Sequence, residues 1–209
     1  MTNPFVVTIN RQFGSGGREI GKRLAKTLDI AYLDKELLSL AAQKSGISEK
    51  AFEKADEKPE RSYLYTLSTT AYGNFTVPFS YPDLLTNDRF FALQADVIRK
   101  KGAEKNCVII GRCADDILSD HPCHISLFIH APFEVRQKRI MELYHLNMKQ
   151  AKDLIAKTDK TRESYYHFYT NHKWDDLLNY DLSVDSSILG YDDTAELLVT
   201  FIRKKAKLK

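Results

Sequence analysis

A three-layer α/β fold, with a mainly parallel five-stranded sheet covered by helices on both faces, is what the sequence predicts. Three observations carry this prediction. Short apolar, β-branched runs alternate along the chain with longer amphipathic stretches, the pattern of parallel strands joined by helices. The first run enters a glycine cluster and then a helical segment. No internal repeat or low-complexity tract interrupts the alternation. The length of 209 residues suits one α/β domain, or one domain with a small appended lid.

The elements follow in order. Residues 5–10 (FVVTIN) are bounded by Pro4 and the glycines, and read as a buried first strand. After the loop at Gly14, Ser15, Gly16 and Gly17, helical spacing of Ile20, Leu24, Ala25 and Leu28 predicts an amphipathic helix. Residues 30–33 are a second strand ending at Asp34. Residues 35–105 are mostly helical, with apolar stripes at Leu37, Leu38, Ala41 and Ala42 and again at Phe90, Phe91, Val97 and Ile98. Between them, residues 72–82 hold Gly73, Pro78 and Pro82 among aromatics and read as an ordered loop. Residues 107–110 (CVII) and 124–129 (HISLFI) are buried strands, the first followed by Gly111-Arg112. Pro132 suits the first turn of the next helix. Residues 147–176 are polar, charged and aromatic, and expected to be helical. Residues 180–184 are the last strand, and residues 192–205 a terminal helix with Ala195, Leu198, Val199 and Ile202 on one face.

The bulk properties exclude several classes. The formal net charge is +3, with Lys and Arg spread along the chain, which is not the clustered basic face of a dedicated nucleic-acid binder. Cys107, Cys113 and Cys123 are odd in number and form no CxxC pair, so neither a disulfide framework nor a zinc site is expected. His145, His167 and His172 show no metal-ligand spacing, and no nucleophile elbow is visible. The opening Met1-Thr2-Asn3-Pro4 lacks the charged and apolar regions of a signal peptide. No apolar run approaches the about 20 residues of a membrane helix. The expectation is a cytoplasmic protein with small-molecule partners, neither nucleic acid nor membrane, and with a homodimer left open.

The glycine loop is where chemistry enters. A strand, a glycine-rich loop and a helix make a ready anion site, because the first helical N–H groups are unpaired and the helix dipole favours negative charge there. Glycine lets the backbone approach a phosphate closely, and the Ser15 hydroxyl is a candidate extra donor. The phosphate-loop motif G-x-x-x-x-G-K followed by Ser or Thr is not met. With Gly16 as its second glycine, Arg11 replaces the first and Gly17 replaces the lysine. With Gly17 as the second, Arg18 replaces the lysine and Glu19 the Ser/Thr. The dinucleotide pattern G-x-G-x-x-G also fails, at Glu19. Asp34 lies near the spacing of a ribose-binding acid, so that reading stays open, as does a glycine turn that only joins strand to helix.

The order of these pieces resembles a known family. Residues 7–21 (VTINRQFGSGGREIG) followed by Leu24-Ala25 resemble the opening of the cytidylate kinase-like family, a divergent branch of the P-loop nucleoside monophosphate kinases. Tyr32-Leu33-Asp34-Lys35-Glu36-Leu37 resembles its next strand end. Val108-Ile109-Ile110-Gly111-Arg112 resembles its central strand with the Gly-Arg pair. Residues 136–139 (RQKR) resemble its basic helix, and Asp159-Lys160-Thr161-Arg162 with Tyr165 and Tyr166 its lid. The matches run in order from about residue 5 to about 187. The resemblance implies one P-loop kinase domain over residues 1–209, with an acceptor-binding helical insert near 35–105 and a lid near 147–176. It implies phosphoryl transfer from ATP with Mg2+ to a pyrimidine monophosphate such as CMP. Laid without gaps on that family's loop, Gly17 falls where the catalytic lysine belongs. Arg18, one residue later, is the candidate to supply the charge, although its planar fork demands different geometry.

Phosphoryl transfer asks for positioning and for positive charge around the moving group. The candidates for the donor phosphates are the loop from Gly14 to Gly17, Arg18 and Glu19, with Arg11 either touching phosphate or only shaping the loop. Arg18, Arg162 and Lys160 are the catalytic candidates. Arg136 and Arg139 are candidates for the acceptor, and the ordinary alternative for all these basic side chains is a solvated helical face. Arg112 follows a strand directly, and ligands of open parallel sheets sit beyond the strands' carboxyl ends, so it is an acceptor-phosphate candidate. Asp34 would orient the acceptor, help hold magnesium through water, or cap the helix starting near Lys35. Asp115 and Asp116 read as helix-start charges. Tyr165, Tyr166, Phe168 and Tyr169 read as packing for a helix rather than a base-stacking platform. Two rival functions remain: a non-catalytic nucleotide sensor that keeps the fold without the lysine, and a kinase of another small metabolite.

Overall fold

The computed structural model describes residues 4–46 and 81–207, with backbone alone at residue 44 and over 81–87. Five strands form the sheet: β1 (Val6–Arg11), β2 (Ala31–Leu33), β3 (Cys107–Ile110), β4 (His124–His130) and β5 (Leu182–Asp185). Their order is β2-β3-β1-β4-β5, and every pairing is parallel. β1 is the central strand, with Val6 opposite Cys107 on one side and His124 on the other. All six of its residues are buried, Thr8, Asn10 and Arg11 among them, as befits a central strand of a sheet covered on both faces.

The helices are α1 (Gly17–Leu28), α2 (Glu36–Ser45), α3 (Tyr81–Glu104), α4 (Ala114–Ile117), α5 (Phe133–Tyr144), α6 (Met148–Thr170) and α7 (Ser186–Lys205). Strand alternation sends Val7 and Ile9 to one face, where they pack with Ile20 and Leu24 of α1 and Leu198 and Ile202 of α7. Val6 and Ile109 go to the other face, against Leu37 and Leu38 of α2, Phe90 and Ile98 of α3, and Leu118. Helices therefore cover both faces of a parallel sheet, as the alternation of strands and helices predicts.

The differences from the sequence reading are local. The second strand begins at Ala31 and the fifth at Leu182, because pairing starts there, opposite Cys107 and Leu127. The terminal helix begins earlier, at Ser186, but breaks at Gly190, whose φ is 73° and ψ −172°. The segment at 147–176 supplies one continuous helix, α6, opened by a capping box between Asn147 and Gln150. Its aromatics pack: Tyr165 and Tyr166 are buried with Phe128, Trp174 and Tyr180, and Tyr169 stacks on Phe91 with ring centroids 3.9 Å apart. The middle of the 35–105 segment, with the loop expected at 72–82, lies almost wholly outside the described residues.

Cys107 and Cys113 are buried free thiols, and burial pushes Cys107 up to about 11. Among the described residues, no cluster of three or more His, Cys, Asp or Glu is arranged to hold a metal. None of the helices among the described residues is long and apolar enough to cross a membrane.

Candidate functional site

β1 ends at Arg11, and the chain turns immediately, with the Gln12 amide donating to the Ile129 carbonyl at 3.0 Å. Two left-handed glycines make the turn, Gly14 at φ 83° and Gly16 at φ 87°. The space is as restrictive as the dihedrals. A Cβ on Gly14 would lie 3.1 Å from Arg136 and from Ile140. A Cβ on Gly16 would strike the Tyr191 ring and lie 2.6 Å from the Arg139 guanidinium. Gly16 is also the N-cap of α1, and no side chain caps that end. The first-turn N–H groups and the positive end of α1 are thus turned to the loop, an anion site by construction.

A cleft of about 120 Å³ opens over this loop. Arg11, Arg18, Arg139 and Arg162 line it together with Glu19, and Leu143 and Tyr144 form its apolar edge. Strand, loop-side helix and two distant helices each bring one arginine. The Arg139 guanidinium stacks 4.1 Å from the centroid of Tyr191. Its Nη1 is buried with no hydrogen-bond partner among the described residues, so it is a donor ready for an anion. Burial lowers the Arg139 pKa, Glu19 partly restores it, and Arg23 lowers it further. Arg162 reaches in from α6, donating to the Arg11 carbonyl at 3.0 Å with its guanidinium 5.6 Å from the Phe13 ring centroid.

α6 is fastened to the loop at a second point. Asp159, one helical turn before Arg162, accepts from the Phe13 amide at 2.7 Å and from Arg136 Nη1 at 2.6 Å. Arg136 is buried and also donates to the carbonyls of Ala131 and Phe13. It therefore holds the loop and α6 together rather than lining the cleft. Ser15 is likewise turned away: its hydroxyl sits between the carbonyls of Gln12 and Ile129 at 2.9 and 3.0 Å. Lys160 lies on the exposed side of α6.

Beside the cleft, at the carboxyl ends of β2 and β3, Asp34 joins two arginines. Arg112 Nη1 stands 3.0 Å from Asp34 Oδ1, and Arg18 Nε 2.8 Å from Oδ2. Burial raises the Asp34 carboxyl, but Arg112 and then Arg18 outweigh it and hold the carboxyl below its usual range. The Asp34 side chain does not cap α2, whose N-cap is Lys35 without a side-chain bond. Arg112 is almost wholly enclosed and adopts a left-handed backbone, φ 60°.

Three further participants differ in how far sequence reasoning could reach them. Asp115, read as a helix-start charge, is buried: it accepts from Asn10 Nδ2 at 2.9 Å and from the Tyr166 hydroxyl at 2.7 Å. This network ties β1, α4 and α6 together behind the loop. Tyr191, which floors Arg139, was signalled only by the glycine before it. Asp159 was visible in the D-x-x-R spacing with Arg162, which places both on one helical face.

This sheet order, with a glycine loop between the first strand and first helix, is the fold of P-loop kinases. Within that class the chain belongs to the cytidylate kinase-like family, whose model matches residues 6–188. No curated protein matches it. Among solved structures, it is similar to an uncharacterized protein from Eubacterium ventriosum ATCC 27560, at 29% identity, TM-score 0.69, covering 95% of this chain and 98% of that one. The fold is also that of a gluconokinase from Sinorhizobium meliloti 1021, at 12% identity, TM-score 0.55, with 99% and 96% of the two chains covered. A shikimate kinase from Acinetobacter baumannii, solved with shikimate, shares it at 14% identity, TM-score 0.51, over 100% and 97% of the chains.

Proposed function

We propose that this protein transfers the γ-phosphoryl group of ATP to a nucleoside monophosphate, CMP or dCMP. The observation that carries the proposal is the convergence of Arg11, Arg18, Arg139 and Arg162 on the glycine loop. Four cations and an uncapped helix end in one small cleft suit a polyphosphate. They supply the positive charge that phosphoryl transfer requires where charge builds up.

In this reading the loop from Gly14 to Gly17 and the first turn of α1 hold the donor phosphates. Arg139, seated on Tyr191, and Arg162 flank them. Arg18 is half-exposed and bonded to Asp34, so it stands between the donor cleft and the Asp34–Arg112 pair, which forms the acceptor side. Arg136 acts indirectly, by fixing the loop to α6. Residues near 147–176 act as the lid, with Arg162 as its contribution to the cleft and Lys160 closing on phosphate only after the lid moves. The insert near 35–105 binds the acceptor. Lid closure excludes water, so that ATP is not simply hydrolysed. Magnesium on ATP neutralises phosphate charge and takes hard oxygen ligands. Glu19 is the carboxylate lining the cleft among the described residues and would hold it.

Glycine at position 17, where the family's lysine belongs, favours a second reading, a nucleotide sensor without catalysis. One experiment separates the two. Purified protein is given ATP, Mg2+ and each nucleoside monophosphate in turn, and products are resolved by chromatography. ADP formed together with CDP or dCDP is the expected result. A different diphosphate corrects the acceptor. If ATP or CMP raises the melting temperature but nothing is phosphorylated, the sensor reading replaces the proposal or the acceptor is another small metabolite.

A further inference from the structure

The missing lysine has a geometric explanation. Gly17 is the first residue of α1 and is not among the positive-φ glycines, so its backbone would accept any side chain. Space forbids one. A Cβ on Gly17 would lie 2.6 Å from Arg11 Cβ and 3.0 Å from Arg11 Cγ. The first of these atoms is fixed to the backbone of the central strand and cannot swing aside. Strand alternation places Arg11 on the same face as Val7 and Ile9, the face that α1 covers. Positions 11 and 17 therefore meet across the loop, and only one of them has room for a side chain. In the motif G-x-x-x-x-G-K the glycine stands first and the cation last. Here the cation stands first, at Arg11, and the glycine last, at Gly17. The two have exchanged ends of the loop.

We infer that Arg11 is the transposed counterpart of the phosphate-loop lysine: its stem fills the volume that lysine would need, and its guanidinium supplies the cation to the donor phosphates. Arg11 is buried and lines the cleft, and Arg162 grips its carbonyl, so the strand end that carries it is fixed. The guanidinium offers a planar donor fork to phosphate oxygens. This inference rests on the phosphoryl-transfer reading and deepens it. It assigns to Arg11 the role that the sequence had offered to Arg18.

The test is a reciprocal exchange. Arg11→Met keeps the stem and removes the charge. It should retain the wild-type melting temperature within a few degrees while lowering the single-turnover transfer rate by about 100-fold and weakening ATP binding. Gly17→Lys alone should be severely impaired, because the new side chain meets Arg11. Arg11→Gly alone loses the cation. The double variant Arg11→Gly, Gly17→Lys rebuilds G-x-x-x-x-G-K and should recover at least about tenfold over either single change, the coupling expected of residues in contact. A double variant that folds yet does no better than the singles overturns the inference. If it fails to fold, Arg11→Met decides: transfer and ATP affinity within about threefold of wild type overturn it. Wild-type protein that binds ATP but phosphorylates nothing sinks the kinase reading alone, and the ATP affinity of Arg11→Met still judges the exchange. Wild-type protein that does not bind ATP sinks both.

Discussion

Two arginines share the Asp34 carboxylate on unequal terms, and burial decides what each is worth. The Arg112 side chain is 1% exposed and that of Arg18 is 44% exposed. Removing one partner of a buried pair leaves charge without compensation and costs about 3–5 kcal/mol. Arg18 remains as a second partner, so Arg112→Met should cost about 3 kcal/mol in chemical denaturation. Arg18→Ala removes a half-solvated partner and should cost under about 1 kcal/mol, while lowering phosphoryl-transfer turnover far more than it disturbs folding. Denaturation curves and turnover measured side by side check both; unchanged turnover in Arg18→Ala removes that residue from the mechanism. At this scale the sequence was informative where residue type encodes backbone. Glycines 14 and 16 announced their loop because only glycine accepts those dihedrals in that space. It was silent where a side chain's partner comes from far along the chain. Asp34 and Arg112 were each legible as strand-end residues, but the bond between them spans 78 positions. Asp115 looked solvated because Tyr166 and Asn10, which enclose it, belong to distant segments. Ser15 looked like a phosphate donor because nothing local shows that its hydroxyl turns to Ile129.

Gly190 shows how one element sets up the cleft from outside the loop. Its φ of 73° with ψ of −172° falls in a region open essentially to glycine alone. The break reorients the start of α7 so that Tyr191 lies beneath Arg139 and against Gly16. A Cβ at Gly190 meets nothing within 4 Å, so any cost of Gly190→Ala is conformational rather than steric. That substitution should destabilise by about 1–3 kcal/mol and weaken ATP binding, because Tyr191 and with it Arg139 would leave the loop. Calorimetric titration with ATP is the check, and full affinity in a destabilised variant would detach the kink from the site. A separate test concerns α6, which delivers Arg162. Its capping box rests on Asn147, and Asn147→Ala should cost about 1 kcal/mol, read by thermal denaturation. The elements themselves were largely legible, since buried parallel strands are compact apolar runs and helices show their spacing. Their ends were not: β2 and β5 start where a neighbour begins to pair, which sequence does not display. The unbroken α6 was also hard to see as an amphipathic helix, because its buried side changes from aliphatic, at Ala151 and Ile155, to Arg162, Tyr165 and Tyr166.

Across the whole molecule, a partly buried and a buried group on the same face of the sheet give the fold a cancelling response to acid. His124 at the start of β4 bonds to the Thr8 hydroxyl at 2.8 Å. Burial, only partly opposed by Asp181, lowers its pKa to about 4. The unfolded chain takes up a proton near pH 6.5 and the native state does not. The His124 contribution is therefore complete above pH 6.5 and is lost as pH falls toward 4, by about 3 kcal/mol. Asp115 runs the other way. Burial raises it to about 6 in spite of the Tyr166 and Asn10 hydrogen bonds. Its proton is held more tightly in the native state, so stability increases as pH falls from 6 to about 4, by about 2–3 kcal/mol. Asp34 and Asp181 are held below their usual range, Asp34 by its arginines against burial and Asp181 by Lys205 and the Ser126 amide against burial. Both therefore weaken the fold only under more acidic conditions. Between pH 6.5 and 4.5 the two groups nearly offset, and wild-type stability in urea should be almost flat. The variants uncover the two slopes. His124→Asn, which can still bond Thr8, should gain stability relative to wild type as pH falls through this window. Asp115→Asn, which removes the opposing titration, should lose it. Urea unfolding of the three proteins at pH 6.5 and 4.5 is the measurement: parallel changes in all three would mean that neither group titrates differently in the folded and unfolded states.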